Sequence, residues 1–160
     1  RPKINIKVKK QFKSTKENKS TFFYPASSMI FKNHKAIIDA CLRLKKEGIE
    51  NYRVIFTVKG NENQSMLKIS EVVKENQLPV CFIGSLPKES VFDYYSKSIL
   101  IFPSYIETVG LPLIEARMHG TPIIVLDYPF SREVLDGYHN AFFCDPFNTE
   151  MVSNIMKKFL

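Results

Sequence analysis

Six short runs of β-forming residues alternate with segments of helical periodicity from Thr21 to the end of the chain. The predicted strands are residues 21–24, 52–58, 80–83, 98–102, 122–126 and 141–144. The runs at 98–102 and 122–126 are almost continuously apolar, which is typical of strands buried on both faces of a parallel sheet. Parallel neighbours need a crossover connection, and the intervening helices supply it. The pattern therefore predicts an α/β domain with a doubly wound parallel sheet of about six strands.

The segments between the predicted strands carry the start and stop signals of helices. The predicted helices cover about 33–47, about 64–76, a stretch from Pro87, 112–119, a short stretch from Ser131 and a stretch from Asn148. Gly48 stops the first helix, and Pro112 is well placed at the start of the fourth. Ser131 is predicted to be an N-cap, which makes Glu133 an acid of the first turn. Ligands of doubly wound sheets bind beyond the carboxyl ends of the strands, so the loops there are the candidate sites.

The formal net charge of +7 belongs to one end of the chain. Residues 1–20 carry eight basic side chains and one acidic one, whereas basic and acidic side chains balance in the rest of the sequence. This division predicts a basic linker at 1–20 and a folded domain at 21–160. Because the folded domain has no basic excess, its composition argues against nucleic acid as a partner. The alternative to a solvated linker is contact of the basic segment with an anionic membrane surface.

The cysteines and histidines give no sign of a metal site. Cys41, Cys81 and Cys144 lie in apolar segments without the spacing of metal ligands. They are predicted to be buried and reduced, which favours a cytoplasmic setting, with the inner membrane surface as the alternative. No apolar run approaches the roughly 20 residues of a membrane-spanning helix. The histidines are predicted to be ordinary surface residues: His34, His119 and His139.

The loop after the fourth strand holds the densest group of candidate ligand-binding residues. Gly110 lets the backbone approach a ligand closely, and Pro112 starts a helix whose free amides, at 109–111, favour a phosphate. Glu107 lies in the loop and Glu115 in the first helical turn. A carboxylate accepts hydrogen bonds from two adjacent hydroxyls, as a ribose or hexose offers. Taken singly, Glu107 is more simply a solvated loop acid and Glu115 a partner of the helix dipole.

Taken together, these residues resemble the E-x7-E signature of the retaining GT-B glycosyltransferases, especially family 4. Glu107 and Glu115 have seven residues between them, around Gly-Leu-Pro. The flanking matches are Tyr24-Pro-Ala, Lys32-Asn-His, Phe82-Ile-Gly-Ser, Phe102-Pro-Ser, Glu115-Ala, Gly120-Thr-Pro-Ile-Ile-Val, Glu133-Val and Asp145-Pro. The resemblance runs in collinear order from about Thr21 to Leu160. It implies a Rossmann-like domain that forms one half of a GT-B fold.

The resemblance implies a nucleoside-diphosphate sugar, with UDP or GDP, as the donor substrate. Lys32 and Glu107 are the implied catalytic residues, because Lys32 would neutralise the diphosphate and Glu107 would hold hydroxyls of the donor sugar. Glu115 would bind the ribose hydroxyls, and the backbone of Gly84 and Ser85 would face the base. The amides implied to meet the sugar and the distal phosphate are those of Thr108, Val109, Gly110 and Leu111. The simpler interpretation of Lys32 is a surface lysine near a helix start, where a cation is mildly unfavourable.

The implied enzyme transfers a hexosyl-type sugar to a hydroxyl acceptor with retention, in polysaccharide or glycoconjugate assembly. The acceptor site would belong largely to an N-terminal domain preceding residue 1, so this chain alone is expected to bind the donor with little or no transfer. The sequence has no Asp-x-Asp motif, and neither a metal nor another cofactor is expected. One position departs from the family: an Arg about five residues before the Lys falls near Ser27 or Ser28 here, and Lys35 is its candidate substitute.

Other classes with the same alternation fit less well. A receiver-type signalling domain needs acidic residues after its first strand, where residues 24–28 read Tyr-Pro-Ala-Ser-Ser. A nicotinamide-dependent oxidoreductase needs G-x-G-x-x-G at that place, which is missing. Two alternatives stay open: a GT-B-type nucleotide-sugar epimerase, and a degenerate module that binds a nucleotide sugar without catalysis. The acceptor-domain sequence would distinguish the first, and the missing Arg is the reason for the second.

Overall fold

The computed structural model describes residues 19–106 and 110–160. Within these residues the strands are β1 (Ser20–Tyr24), β2 (Tyr52–Phe56), β3 (Val80–Phe82), β4 (Ile99–Phe102), β5 (Ile123–Leu126) and β6 (Ala141–Cys144). The α-helices there are α1 (His34–Lys46), α2 (Gln64–Asn76), α3 (Lys88–Tyr95), α4 (Leu111–Met118), α5 (Pro129–Val134) and α6 (Thr149–Lys157). A 3-10 turn, Ile30–Lys32, precedes α1. Strands and helices thus alternate as the sequence predicts.

The strands form one parallel sheet in the order β3-β2-β1-β4-β5-β6. Its centre is β1, where Phe22 pairs with Val54 of β2 on one side and with Ile99 of β4 on the other. Helix α1 packs on α2 and α6, whereas α4 packs on α3 and α5. Right-handed crossovers place these two groups of helices on opposite faces of the sheet. The predicted fold class, a Rossmann-like doubly wound parallel sheet, is confirmed.

The central strands are buried on both faces, as continuous apolar runs require. Phe22, Phe23 and Tyr24 of β1 have no exposed surface, and all four residues of β4 are buried. Aromatic rings link the strands to the helices: the Phe23 ring stacks on Tyr94 of α3 with centroids 4.6 Å apart. Because this core fixes the strand ends, it also fixes the loops that leave the carboxyl edge of the sheet.

Most predicted boundaries agree with the structure to within a residue or two, but the fifth helix begins earlier than predicted. Pro129 is its first residue and Tyr128 is the N-cap, so Ser131 is the third helical residue. The ring of Pro129 already has the backbone angle of a helix, and the helix therefore starts there. The Ser131 hydroxyl donates to the Leu126 carbonyl and accepts from the Tyr128 amide at 3.2 Å. Glu133 consequently lies in the last turn, not the first.

Two predictions of burial are wrong. Cys41 and Cys144 are buried free thiols, but Cys81 is exposed because β3 is an edge strand with one uncovered face. His34 is enclosed at the start of α1, with its ring centroid 5.0 Å from that of Tyr24 and 4.8 Å from that of Phe56. All three histidines were predicted to lie at the surface. Of the other two, His139 is exposed and His119 is half-buried. The division into a linker at 1–20 and a domain at 21–160 stays a prediction.

The enclosed imidazole of His34 makes stability depend on pH. Burial lowers its pKa from 6.5 to about 4, with Glu62 opposing the shift and Lys32 adding to it. Between those two values the unfolded chain binds a proton that the folded chain does not. The contribution of His34 to stability is therefore complete above about pH 6.5, and it falls by about 1.4 kcal/mol per pH unit as the pH drops toward 4.

We expect His34→Leu to flatten this part of the pH profile, because leucine cannot titrate. The measurement is the free energy of unfolding in urea at about pH 7 and about pH 5, relative to wild type. His139→Leu, which removes an exposed histidine, is the control and should keep the wild-type slope. Parallel profiles for wild type and His34→Leu would contradict the prediction.

Candidate functional site

The sheet changes direction between β1 and β4. The chain leaves β1 toward β2 on one side and leaves β4 toward β5 on the other, although β1 and β4 are neighbours. The loops after these two strands therefore diverge and leave a crevice at the carboxyl edge, where doubly wound domains bind their ligands. The loop after β1, residues 25–33, carries Lys32, and the loop after β4, residues 103–110, leads into α4. Lys32 and residues 103–106 thus belong to the two loops that diverge at this point of the sheet.

Hydrogen bonds join these two loops. The Tyr105 amide donates to the Phe31 carbonyl at 3.2 Å, and the Ser104 hydroxyl donates to the same oxygen at 3.3 Å. From the other side, the Asn33 side-chain amide donates to the Pro103 carbonyl at 3.2 Å. Asn33 has a left-handed backbone with φ 63°, which asparagine tolerates better than most residues. The backbone on both sides of Lys32 is consequently fixed to residues 103–105.

Lys32 itself ends the 3-10 turn and precedes α1 by two residues. Its carbonyl accepts a hydrogen bond of 2.6 Å from the hydroxyl of Tyr24, which belongs to the buried strand β1. Its ammonium lies 5.4 Å from the centre of the neighbouring Phe31 ring. Lys32 is half-buried, and its role in a ligand site stays a prediction.

Helix α4 starts beside the crevice at a glycine. Gly110 is the N-cap with φ 63°, and its carbonyl accepts from the Leu113 amide at 2.9 Å. A Cβ atom at position 110 would lie 2.5 Å from the tip of the Phe130 ring in α5, so part of the need for glycine is structural. Gly110 is buried under that ring, whereas the Leu111 side chain is 49% exposed. Glu107, Thr108 and Val109 lie outside the described residues.

Glu115 is held by helix α3. Its Oε1 accepts from the Tyr95 hydroxyl at 3.2 Å, and its Oε2 lies 3.4 Å from the Lys88 ammonium. The Glu115 side chain is only 13% exposed. Burial, followed by the negative charge of Glu115, raises the pKa of Tyr95, so the phenol remains a donor throughout the neutral range. Glu115 is the fifth residue of α4, in the second turn rather than the predicted first turn.

The loop after β3 borders a groove at the same edge of the sheet. The groove has a volume of about 310 Å³, and its lining combines the loops after β1, β2 and β3 with the side of α3: Pro25, Ala26, Ser27, Thr57, Ser85, Leu86 and Val91. Gly84 is buried with φ 77°, and its amide donates to the Val58 carbonyl at 3.1 Å. The structure therefore brings Ser85 and the loop that precedes Lys32 together around one groove.

The position of the family's Arg is occupied differently. The carbonyl and hydroxyl of Ser28 both accept from the Asn63 side-chain amide, at 3.1 and 3.3 Å. Asn63 is also the N-cap of α2, where its side-chain oxygen accepts from the Met66 amide at 2.8 Å. Lys35, the candidate substitute, forms an exposed ion pair of 2.8 Å with Asp39. At the position where the resembled family has a cation, this chain thus has hydrogen bonds between Ser28 and Asn63 of the α2 N-cap.

Sequence reasoning missed Tyr95 and Lys88 as partners of Glu115. A buried tyrosine usually needs a partner for its hydroxyl, and that rule was the available signal. The identity of the partner, twenty positions along the chain, depends on how α3 and α4 pack.

Within residues 19–106 and 110–160 we find no cluster of three or more histidine, cysteine or acidic side chains that could hold a metal ion. In the same residues no helix has the length and apolarity to cross a bilayer.

The sheet order defines a Rossmann-like α/β domain, and domains of this kind bind their ligands where neighbouring strands diverge. The chain belongs to the family described as Glycosyl transferases group 1, whose sequence model matches residues 5–160. The resemblance predicted from the region around Glu107 and Glu115 is thereby confirmed.

Individual relatives agree with this assignment. The O-antigen chain mannosyltransferase RfbU of Salmonella typhimurium is 30% identical over 128 residues, which are 79% of this chain and 35% of that protein. The sucrose-phosphate synthase of Thermosynechococcus elongatus superposes with a TM-score of 0.75 at 19% identity, over 96% of this chain and 39% of that chain. A glycosyltransferase of Rickettsia africae gives 0.76 at 16% identity, over 99% and 42%. This chain therefore spans 35 to 42% of the length of these three relatives.

The contact between Gly110 and Phe130 predicts a steric requirement at the start of α4. In Gly110→Ala the new Cβ would collide with the Phe130 ring. The alanine would also have to keep the left-handed backbone of position 110. Gly137→Ala is the matched control, because Gly137 has φ 76° and a Cβ there would have no neighbour within 4 Å. The control should lose about 1 kcal/mol of unfolding free energy from backbone strain alone, and Gly110→Ala at least about 1 kcal/mol more from displacement of the ring. Equal losses in urea denaturation would show that Phe130 moves aside freely.

Proposed function

We propose that this chain is the donor-binding domain of a retaining glycosyltransferase. The enzyme transfers a hexosyl-type sugar from a nucleoside-diphosphate sugar, with UDP or GDP as the nucleotide, to a hydroxyl acceptor. Family membership supports the transferase class. The observation that supports the proposal is the hydrogen bonding between the loop after β1, which carries Lys32, and residues 103–105 of the loop after β4.

The diphosphate is the leaving group, and it gains negative charge as the bond to the sugar breaks. We assign its stabilisation to the Lys32 ammonium and to the amides at the N-terminus of α4, where the helix dipole favours an anion. Donors that are fixed before the reaction need no rearrangement as the charge develops. Thr108, Val109, Gly110 and Leu111 supply the amides, and Glu107 holds hydroxyls of the donor sugar. With retention, the acceptor hydroxyl attacks the face of the sugar that the diphosphate leaves.

The nucleoside extends from the diphosphate toward the groove beside α3. We assign the ribose hydroxyls to Glu115, whose carboxylate is largely enclosed and is held by Tyr95 and Lys88. The base lies against the backbone of Gly84 and Ser85, at the groove of about 310 Å³. This arrangement assigns one feature of the chain to each part of the donor.

The remainder of the enzyme is proposed to bind the acceptor. RfbU acts on the O-antigen chain, and this chain matches 35% of its length. By that analogy, we place the reaction in polysaccharide or glycoconjugate assembly in the cytoplasm, with an N-terminal domain of the same protein as the acceptor site. Segment 1–20 is the proposed contact with an anionic membrane surface. The 160-residue chain alone should then bind the donor and show little or no transfer, and robust transfer by this chain would overturn the division of labour.

Nucleotide titration tests the site. We expect isothermal titration of the chain with UDP, GDP and their sugars to give binding that Lys32→Ala and Glu115→Ala each weaken about 10- to 100-fold, as for the loss of a charge-assisted hydrogen bond. Lys46→Ala is the control, because Lys46 lies at the far end of α1 and its loss removes the same charge. If both site variants bind like wild type, the site assignment is wrong.

The proposal assigns no role to a metal, because Lys32 and α4 already meet the leaving-group charge. Removal of divalent cations with EDTA should therefore leave the affinity for the nucleotide unchanged in the same titration. A loss of about tenfold or more that added magnesium restores would show that a metal shares this role.

A further inference from the structure

The carboxylate of Glu115 is held from both sides by one helix. Tyr95, the last residue of α3, contacts Oε1 at 3.2 Å, and Lys88, the first residue of α3, lies 3.4 Å from Oε2. At the backbone, a ring nitrogen of His119 lies 2.8 Å from the Glu115 carbonyl. A glutamate on a helix surface usually samples several rotamers, and these contacts select one.

Tyr95 is the rigid partner of the two. It is 1% exposed, and its ring packs edge-on against Phe23 of the central strand with centroids 5.9 Å apart. Its carbonyl accepts a hydrogen bond of 2.6 Å from the Thr121 hydroxyl, which fixes the end of α3. A phenol enclosed in this way cannot follow a moving carboxylate. Its hydrogen bond therefore determines where Oε1 stands.

Lys88 contributes differently. Its side chain is 67% exposed, and its ammonium also lies 5.8 Å from the centre of the Phe92 ring. An exposed lysine of this kind holds an ion pair weakly, since solvent screens the charges and the chain is flexible. Lys88 offsets the charge of Glu115, but it does not fix the direction of the carboxylate. Orientation is left to Tyr95.

We propose that Tyr95 is a positioning residue that gives the site its preference for ribose over deoxyribose. A carboxylate offers about four acceptor positions, and Tyr95 and Lys88 use one on each oxygen. One acceptor position therefore remains on each oxygen, which matches the two hydrogen bonds that a pair of vicinal hydroxyls can donate. Both hydroxyls are bound only if the carboxylate is held in one orientation, and the Tyr95 hydroxyl holds it. The inference rests on the proposed role of Glu115 in binding the ribose.

The test compares two ligands and three forms of the 160-residue chain. UDP and 2′-deoxy-UDP, or GDP and 2′-deoxy-GDP if guanine binds better, are titrated into wild type, Tyr95→Phe and Tyr94→Phe. Tyr95→Phe removes only the hydroxyl and keeps the ring in its packing. Tyr94→Phe makes the same chemical change at the adjacent residue, whose ring stacks on Phe23. The readout is the ratio of the two dissociation constants, which a general loss of folded protein does not alter.

Wild type and Tyr94→Phe should bind the ribonucleotide at least about tenfold more tightly than the deoxynucleotide, as for the loss of one charge-assisted hydrogen bond. In Tyr95→Phe the ratio should fall to within about threefold, with the affinity for the deoxynucleotide unchanged. An undiminished ratio in Tyr95→Phe overturns the inference and leaves the role of Glu115 intact. A ratio near one in wild type overturns the ribose assignment of Glu115 itself, and with it the inference. The two failures are therefore distinguishable.

Discussion

The hydrogen bonds between the loop after β1 and the loop after β4 decide the geometry of the site. Parallel strands deliver their loops to one edge of the sheet, but at the point where the chain diverges nothing in the sheet itself holds those loops together. The Phe31 carbonyl, which accepts from both Tyr105 and Ser104, and the Asn33 side chain supply that contact. Because the bonds involve the residues on either side of Lys32, the backbone at Lys32 is held against residues 103–105 before any ligand binds. Preorganisation of this kind is what an electrostatic site requires.

The second support of the site comes from the opposite face of the sheet. Helix α1 and the loop before it lie on the face covered by α2 and α6, whereas Tyr95 and Glu115 belong to helices of the other face. The groove at the carboxyl edge therefore has walls that are anchored independently. Strand β1 contributes to both, since Tyr24 bonds to the carbonyl of Lys32 and Phe23 packs on Tyr95. Two adjacent residues of one buried strand thus support the two ends of the proposed donor site.

The fold could be predicted because its determinants are local. The apolar runs and the Gly and Pro signals each act within a few residues, and α6 begins at Thr149, next to its predicted start at Asn148. The predictions that were wrong concern positions where two local signals compete, or where packing against distant residues determines burial. Pro129 starts its helix ahead of Ser131, and the exposure of Cys81 follows from the place of β3 at the sheet edge. The bond between Tyr95 and Glu115 joins residues of two helices, and no spacing rule reaches across that distance. The glutamate could be identified from a motif, but its partners required the packing.

The absence of the family's Arg shifts the electrostatic balance rather than the architecture. An arginine near Ser28 would add a cation to the crevice, whereas here Asn63 bonds to Ser28 and caps α2 with the same side chain. The loop after β1 is consequently tied to α2 on one side and to the loop after β4 on the other. A neutral tie adds rigidity without charge, so under the proposed function the neutralisation of a diphosphate would rest more heavily on Lys32 and on the dipole of α4. The hydrogen bonds on either side of Lys32 restrict the backbone from which its side chain extends, and with fewer cations in the proposed site that restriction matters more.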